Sequence, residues 1–150
     1  MKIFITGGCG FLGYNLVKRL ITNQKYKVYV IDNLSRLGSK KNLNLIKNNI
    51  LFKNLDLIKD LKQVEDFIIN IKPDVIIHLA GQVAMSKSLK MPFFDFQTNA
   101  LSTVRIIELI RKYIPKCQLL FSSTNKVYGD LSSMNYVQKK TRFELKQQRI

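Results

Sequence analysis

The stretch Thr6-Gly7-Gly8-Cys9-Gly10-Phe11-Leu12-Gly13 decides how the rest of the chain reads. Lys2 to Thr6, just before it, is the short apolar run of a buried strand. After it, Leu12, Leu16, Val17 and Leu20 share one face of a helix predicted over Leu12 to Asn23. Glycines at such a strand-to-helix turn suit a pyrophosphate. Gly7 permits the tight turn, Gly10 lets the backbone approach the phosphates, and Gly13 lets the helix pack closely on the sheet. The unpaired amides at the start of the helix, where Phe11 and Leu12 stand, hold phosphate oxygens.

Working outward, apolar runs alternate with stretches of helical period. Val28 to Ile31, Ile50 to Lys53, Val75 to His78 and Leu119 to Ser122 read as further strands. Lys40 to Lys47 reads as a short helix. Leu61 to Ile71 is a helix with Leu61, Val64, Ile68 and Ile71 inward, stopped by Lys72-Pro73. Pro92 suits the first turn of a long helix reaching to about Tyr113, with Pro115 after its end. Strands that alternate with helices imply parallel βαβ units, so the expected class is α/β, a doubly wound parallel sheet of Rossmann type. Residues 1–130 form the expected dinucleotide-binding domain. Residues 131–150 are polar and basic, with Phe143 and Leu145 as anchors, and read as a loop followed by a loose helix.

Asp32 closes the second strand, roughly twenty residues beyond the glycine loop. A carboxylate there binds both ribose hydroxyls of an adenosine and repels a 2′-phosphate, which favours NAD over NADP. Arg36 argues the other way, since a nearby arginine can accept that phosphate.

Composition narrows the classes further. The chain has 150 residues, a net charge of +15 and a pI of about 10.0. The lysines are interleaved with apolar and Asn residues and form no basic, aromatic ribbon, so nucleic acid is not the expected partner. A positive field would instead draw phosphate-bearing ligands. No apolar run is long enough to cross a bilayer, and the N-terminus lacks a secretory signal, so a cytoplasmic protein with no membrane partner is expected. The two cysteines, Cys9 and Cys117, have no metal-ligand spacing and read as reduced structural thiols; no metal is expected.

Further blocks resemble one family, the extended short-chain dehydrogenases/reductases, in its NAD-dependent epimerase/dehydratase branch. Asp32-Asn33-Leu34-Ser35-Arg36-Leu37-Gly38 is similar to the segment lining the adenosine site there. Asp56-Leu57 resembles the pair flanking the adenine. Ile77-His78-Leu79-Ala80-Gly81-Gln82-Val83-Ala84 resembles the fourth-strand motif whose turn passes beneath the cofactor. Asn99 stands where the family keeps an asparagine. Phe121-Ser122-Ser123-Thr124-Asn125-Lys126-Val127-Tyr128-Gly129 resembles the fifth-strand motif with the catalytic hydroxyl. The resemblance covers about residues 1 to 143.

It implies bound NAD and a nucleotide-sugar substrate that is oxidised transiently to a keto sugar and re-reduced from its other face. The wording at 81–85 and 122–131 is similar to members acting on CDP-linked sugars. Gly7, Gly10, Phe11, Leu12, Gly13, Asp32, Asn33, Ser35, Arg36, Asp56, Leu57, Leu79, Ala80, Gly81, Gln82, Asn99 and Ser122 are the implied cofactor residues, and Thr124 the implied catalytic hydroxyl. His78 reads as a structural hydrogen-bonder.

The family's base is a tyrosine in a Tyr-x-x-x-Lys pair on one helical face. Tyr136-Val137-Gln138-Lys139-Lys140 has that spacing, but its surroundings lack the Ser-Pro-Tyr-Gly-x-Ser-Lys setting of the extended branch. It therefore reads as coincidental. The chain is expected to stop before the catalytic pair and the substrate-binding half, leaving an apolar edge open to pairing with another chain, a homo-oligomer included. Two other readings stay open: a non-catalytic NAD-binding module, and a compact dehydrogenase using Thr124, Tyr136 and Lys140.

Overall fold

The computed structural model describes residues 1–123 and 135–146. Five parallel strands form one sheet: β1 (Lys2–Thr6), β2 (Lys27–Ile31), β3 (Leu51–Lys53), β4 (Val75–His78) and β5 (Gln118–Phe121). Their spatial order is β3-β2-β1-β4-β5. The central strand pairs on both sides, with Ile5 opposite Val30 on one and Ile77 on the other. A strand covered on both faces needs apolar residues at every position rather than at alternate ones. In β1, Ile3, Phe4 and Ile5 are accordingly all buried.

Those side chains alternate between two cores, as the two-residue repeat of a strand requires. Ile3 and Ile5 join Val17 of α1 (Phe11–Leu20) and Ile46 of α2 (Ser39–Ile46). Phe4 joins Val64, Ile68 and Ile71 of α3 (Leu61–Ile71) and Ile106 of α6 (Ser102–Tyr113) on the other face. Helices thus cover both faces, the doubly wound arrangement expected from the sequence. Truncating a core residue such as Ile68 to alanine would cost roughly 2–5 kcal/mol. The end of α3 is sharp. Lys72 turns left-handed at φ 49°, its amide bonds the Ile68 carbonyl at 2.9 Å, and Pro73 cannot continue the helix.

Three features differ from the sequence reading. A short helix, α4 (Met85–Lys90), precedes α5 (Pro92–Phe96); it is exposed, and at six residues its single apolar pair, Met85 and Leu89, is too short a pattern to mark a helix. The long helix from Pro92 to Tyr113 is present but contains a widened π turn at Gln97–Leu101 between α5 and α6. The hydroxyls of Thr98 and Thr103 bond back to the carbonyls of Phe94 and Asn99 across this turn, at 2.8 and 2.7 Å. Such side-chain bonding competes with the regular ladder and bends helices.

The third difference is the loose helix expected beyond residue 131. The described part of that stretch is an antiparallel hairpin of β6 (Tyr136–Gln138) and β7 (Phe143–Leu145). The Lys139 amide donates to the Arg142 carbonyl at 2.8 Å and closes its turn. Tyr, Val and Phe favour an extended chain, which outweighs a weak helical pattern of lysines and glutamines.

Candidate functional site

In a doubly wound sheet, ligands bind at the carboxyl ends of the strands where the winding reverses. Here that point lies between β1 and β4. Gly7 turns there with φ 70°, and its amide donates to the Ile31 carbonyl at 2.9 Å. A Cβ on Gly7 would stand 2.7 Å from the Ala80 nitrogen, so the turn after β4 lies directly on it. At Gly13 an added Cβ would collide with the Gly7 carbonyl oxygen and the Gly8 backbone. Gly13 therefore packs α1 onto the glycine loop itself, rather than onto the sheet as expected from the sequence.

Gly10 behaves differently. A Cβ there would meet only the Gly7 oxygen, at 3.3 Å, and φ is an ordinary −70°. Nothing among the described residues strictly demands glycine at this position. The open space lies at the N-cap of α1, whose first intrahelical bond runs from the Tyr14 amide to the Gly10 carbonyl at 2.9 Å. Among the described residues no side chain caps the amides of the first turn, those of Phe11, Leu12 and Gly13. Phe11 and Leu12 are themselves exposed. Free donors and a bare glycine fit a phosphate approaching from outside.

Asp32 sits beside this loop with its carboxylate buried. Its Oδ2 accepts the Cys9 amide at 2.9 Å and its Oδ1 accepts the Leu34 amide at 2.8 Å. Each oxygen keeps a further lone pair, so two more donors, such as vicinal hydroxyls, can be received. Asn42 secures the loop from α2 by donating to the Cys9 carbonyl at 2.9 Å; nothing in the sequence marked it. Burial, with the charge of Asp32, pushes the Cys9 thiol up to about 12, so it is an inert packing group.

The outer wall is held by side-chain bonds. Asn33 donates to Asp56 at 2.8 Å and accepts the Ser35 amide at 3.1 Å. Asp56 also accepts the amides of Ile58 and Lys59. Burial pushes the Asp56 carboxyl up, but these hydrogen bonds and the nearby Lys59 charge outweigh it and hold the group below its usual value. Leu57 packs against the core beneath.

The turn after β4 is clamped from the π turn. Asn99 accepts the Gln82 amide at 2.7 Å and donates to the Gln82 carbonyl at 3.0 Å. A Cβ on Gly81 would stand 3.1 Å from the same Asn99 oxygen. The Leu79 amide bonds the Thr6 carbonyl and the Ala80 amide the Thr6 hydroxyl, at 3.1 and 3.2 Å. Arg36 reaches over from the β2 loop and donates to Gln82 Oε1 at 3.2 Å. The structure thus gathers Gly7 to Gly13, Asp32 to Arg36, and Leu79 to Gln82 with Asn99, at the carboxyl ends of β1, β2 and β4.

His78, the last residue of β4, is fully buried. Its Nδ1 is 2.6 Å from the Thr6 hydroxyl and its Nε2 is 3.1 Å from the Thr103 hydroxyl. Thr103 spends its proton on the Asn99 carbonyl, so Nε2 must be the donor and Nδ1 the acceptor. Burial lowers the pKa to about 4 and keeps the ring neutral, which makes it a fixed strut rather than a base. Sequence reasoning reached that role for His78 without its partners Thr6 and Thr103.

Two expectations stand apart. Ser122 and Ser123 follow β5 and are exposed, the Ser122 amide bonding the His78 carbonyl at 3.4 Å, while Thr124 lies outside the described residues. Tyr136 begins β6 and Lys140 lies past its end, so the two do not share a helical face. Among the described residues no cluster of metal-ligating side chains is found, and no helix is long and apolar enough to cross a membrane.

Known proteins resemble this chain in sequence and in fold. A family profile described as GDP-mannose 4,6-dehydratase matches residues 4–146. CDP-paratose 2-epimerase of Salmonella typhi is 43% identical over 145 residues, which is 95% of this chain and 42% of that protein. UDP-glucose 4-epimerase of Thermotoga maritima, solved with UDP-glucose, superposes with a TM-score of 0.73 at 36% identity, covering 83% of this chain and 38% of that one. dTDP-glucose 4,6-dehydratase of Bacillus anthracis, solved in complex with NAD, gives 0.73 at 30% identity, covering 96% and 44%. The chain spans about two fifths of the length of the curated relatives it matches.

Proposed function

Because the chain belongs to the GDP-mannose 4,6-dehydratase family, we propose that it binds NAD and forms the dinucleotide-binding part of a nucleotide-sugar epimerase. The observation that carries this reading is the open Gly10 position at the uncapped start of α1, beside a buried Asp32 with lone pairs to spare. The amides of Phe11, Leu12 and Gly13 would hold the pyrophosphate. Asp32 would receive the two adenosine ribose hydroxyls, and its charge would turn away a 2′-phosphate. Asn33, Ser35, Asp56 and Leu57 would line the adenosine, and Leu79 to Gln82 with Asn99 would support the nicotinamide half.

NAD, when bound, supplies a reversible hydride acceptor. The activity assigned is oxidation of one carbinol of the sugar to a ketone and its re-reduction from the other face. Thr124 would hydrogen-bond the reacting oxygen, and Ser122, just past β5, would contact the cofactor. Likeness to CDP-paratose 2-epimerase supports a CDP-linked sugar as substrate. The compact-dehydrogenase alternative loses its support, since Tyr136 stands on a strand.

The test is calorimetric titration with NAD and NADP. Saturable binding of NAD with NADP at least tenfold weaker is expected. Equal affinities, or no binding of either, would overturn the reading. The chain has no Trp, so NADH fluorescence gives a second readout free of tryptophan background.

A further inference from the structure

Strand order gives the Arg36–Gln82 hydrogen bond a meaning that its length alone does not. β1 lies between β2 and β4. Arg36 is on the loop after β2, and Gln82 is on the loop after β4. A bond between these loops must pass over the carboxyl end of β1, where the Gly7 turn begins. Two strand spacings, roughly 9–10 Å, separate the loops' points of departure. The side chains close that gap, with Arg36 Nη2 donating to Gln82 Oε1 at 3.2 Å. The bridge therefore spans the carboxyl end of β1, from which the glycine loop leads into α1.

Its two ends are built unequally. Gln82 is fixed, with a side chain that is buried and a main chain gripped on both sides by Asn99. Its Nε2 donates to the Ala84 carbonyl at 2.8 Å, which sets the amide so that Oε1 must face Arg36. Arg36 is the movable end. It is exposed, on a loop that bends through left-handed residues at Leu34 (φ 55°) and Gly38 (φ 88°). A guanidinium offers five donors, and only a neutral oxygen receives one here. The bond to Gln82 is charged on its donor side alone; a phosphate brings the opposite full charge as well and suits the planar fork bidentately.

We propose that Arg36 is a clasp over the carboxyl end of β1: it rests on Gln82 in the free protein and transfers to the pyrophosphate of the dinucleotide held on the glycine loop beneath. This rests on the dinucleotide reading of the site and adds the residue that closes it. It also gives Arg36 a different task from acceptance of a 2′-phosphate, because the bridge draws its guanidinium toward β4 and over the loop. Gln82 becomes a positioning residue whose buried oxygen keeps the cation ready above the phosphate site.

The experiment compares Arg36→Gln with wild type in binding ADP-ribose, NAD, NADP and adenosine, the last followed by NMR shifts. Loss of one charged contact to phosphate should weaken ADP-ribose and NAD by about 10- to 100-fold. Adenosine, which has no phosphate, should bind within about twofold of wild type, and the ligand-free melting temperature should hardly move. The salt dependence of NAD binding should flatten, and Arg36→Lys should recover part of the affinity. Equal weakening of adenosine and ADP-ribose would overturn the clasp and make Arg36 a support of the loop. A loss confined to NADP would overturn it in favour of a 2′-phosphate ligand, and unchanged NAD and ADP-ribose affinity would overturn it outright. If wild type bound neither NAD nor ADP-ribose, the dinucleotide reading would fail first, and the clasp with it.

Discussion

Replacing Asp32 separates the two tasks that its carboxylate performs. In the free protein it accepts the Cys9 amide at 2.9 Å and the Leu34 amide at 2.8 Å. Asp32→Ala strands the buried Cys9 amide, a desolvation cost of about 1–3 kcal/mol, and loses the charged bond to Leu34, whose amide water can reach. The fold should weaken by roughly 2–4 kcal/mol in all. For the ligand, two ribose hydroxyls lose a charged acceptor. At the lower bound of about 1.5 kcal/mol each, that is about 100-fold in NAD affinity. NADP should lose far less, because repulsion of its 2′-phosphate goes as well, so the preference for NAD should collapse. Asp32→Asn keeps one carbonyl oxygen for one amide and sets a donor against the other, so it should fall between. Urea unfolding without ligand and calorimetric titration with both dinucleotides measure the two effects separately. If either variant keeps the wild-type preference for NAD over NADP, the ribose assignment is wrong. An unchanged unfolding midpoint in Asp32→Ala would mean that its bonds to Cys9 and Leu34 add nothing.

Gly10→Val should cost the fold only about 1 kcal/mol, as a poorer N-cap, yet abolish NAD binding by filling the phosphate space; normal NAD affinity would refute the loop assignment. Tyr136→Phe should leave NAD affinity unchanged by titration, since Tyr136 stands on β6 and shares no helical face with Lys140; a large loss would place it at the cofactor. Buried His78 binds a proton at about pH 4 when folded and at its ordinary 6.5 when unfolded. The unfolded state therefore holds more protons between these values. Stability should be complete above pH 6.5 and fall by about 3 kcal/mol on acidification to pH 4, a slope that His78→Gln should flatten in denaturant titrations.

The sheet was readable because parallel strands buried on both faces leave short apolar runs, such as Lys2 to Thr6 and Val75 to His78, which their length, β-branched residues and flanking Gly7 or Pro73 set apart from helices. The glycine loop was readable because its φ of 70° at Gly7 and its close contacts at Gly7 and Gly13 leave glycine as the only choice. The π turn was not, because the bonds made there by the Thr98 and Thr103 hydroxyls form only once the helix has brought their carbonyls within reach. Nor were the bonds from Arg36 to Gln82 and from His78 to Thr6 and Thr103, which join residues far apart in sequence through strand order and the packing of α6 on the sheet. The Tyr136–Lys140 spacing shows the opposite hazard. Four-residue spacing implies a shared face only on a helix, and β-forming side chains at Tyr136, Val137 and Phe143 made a hairpin there instead.

The most direct test of the central claim is an amide-resolved NMR titration of the chain with NAD. The account predicts shifts concentrated at Gly10 to Gly13, at Asp32 to Arg36 and in the turn from Leu79 to Gln82, saturating together with one affinity. Saturating shifts that leave the Gly10 to Gly13 amides untouched, or that gather on α3 and α6 instead, would contradict it.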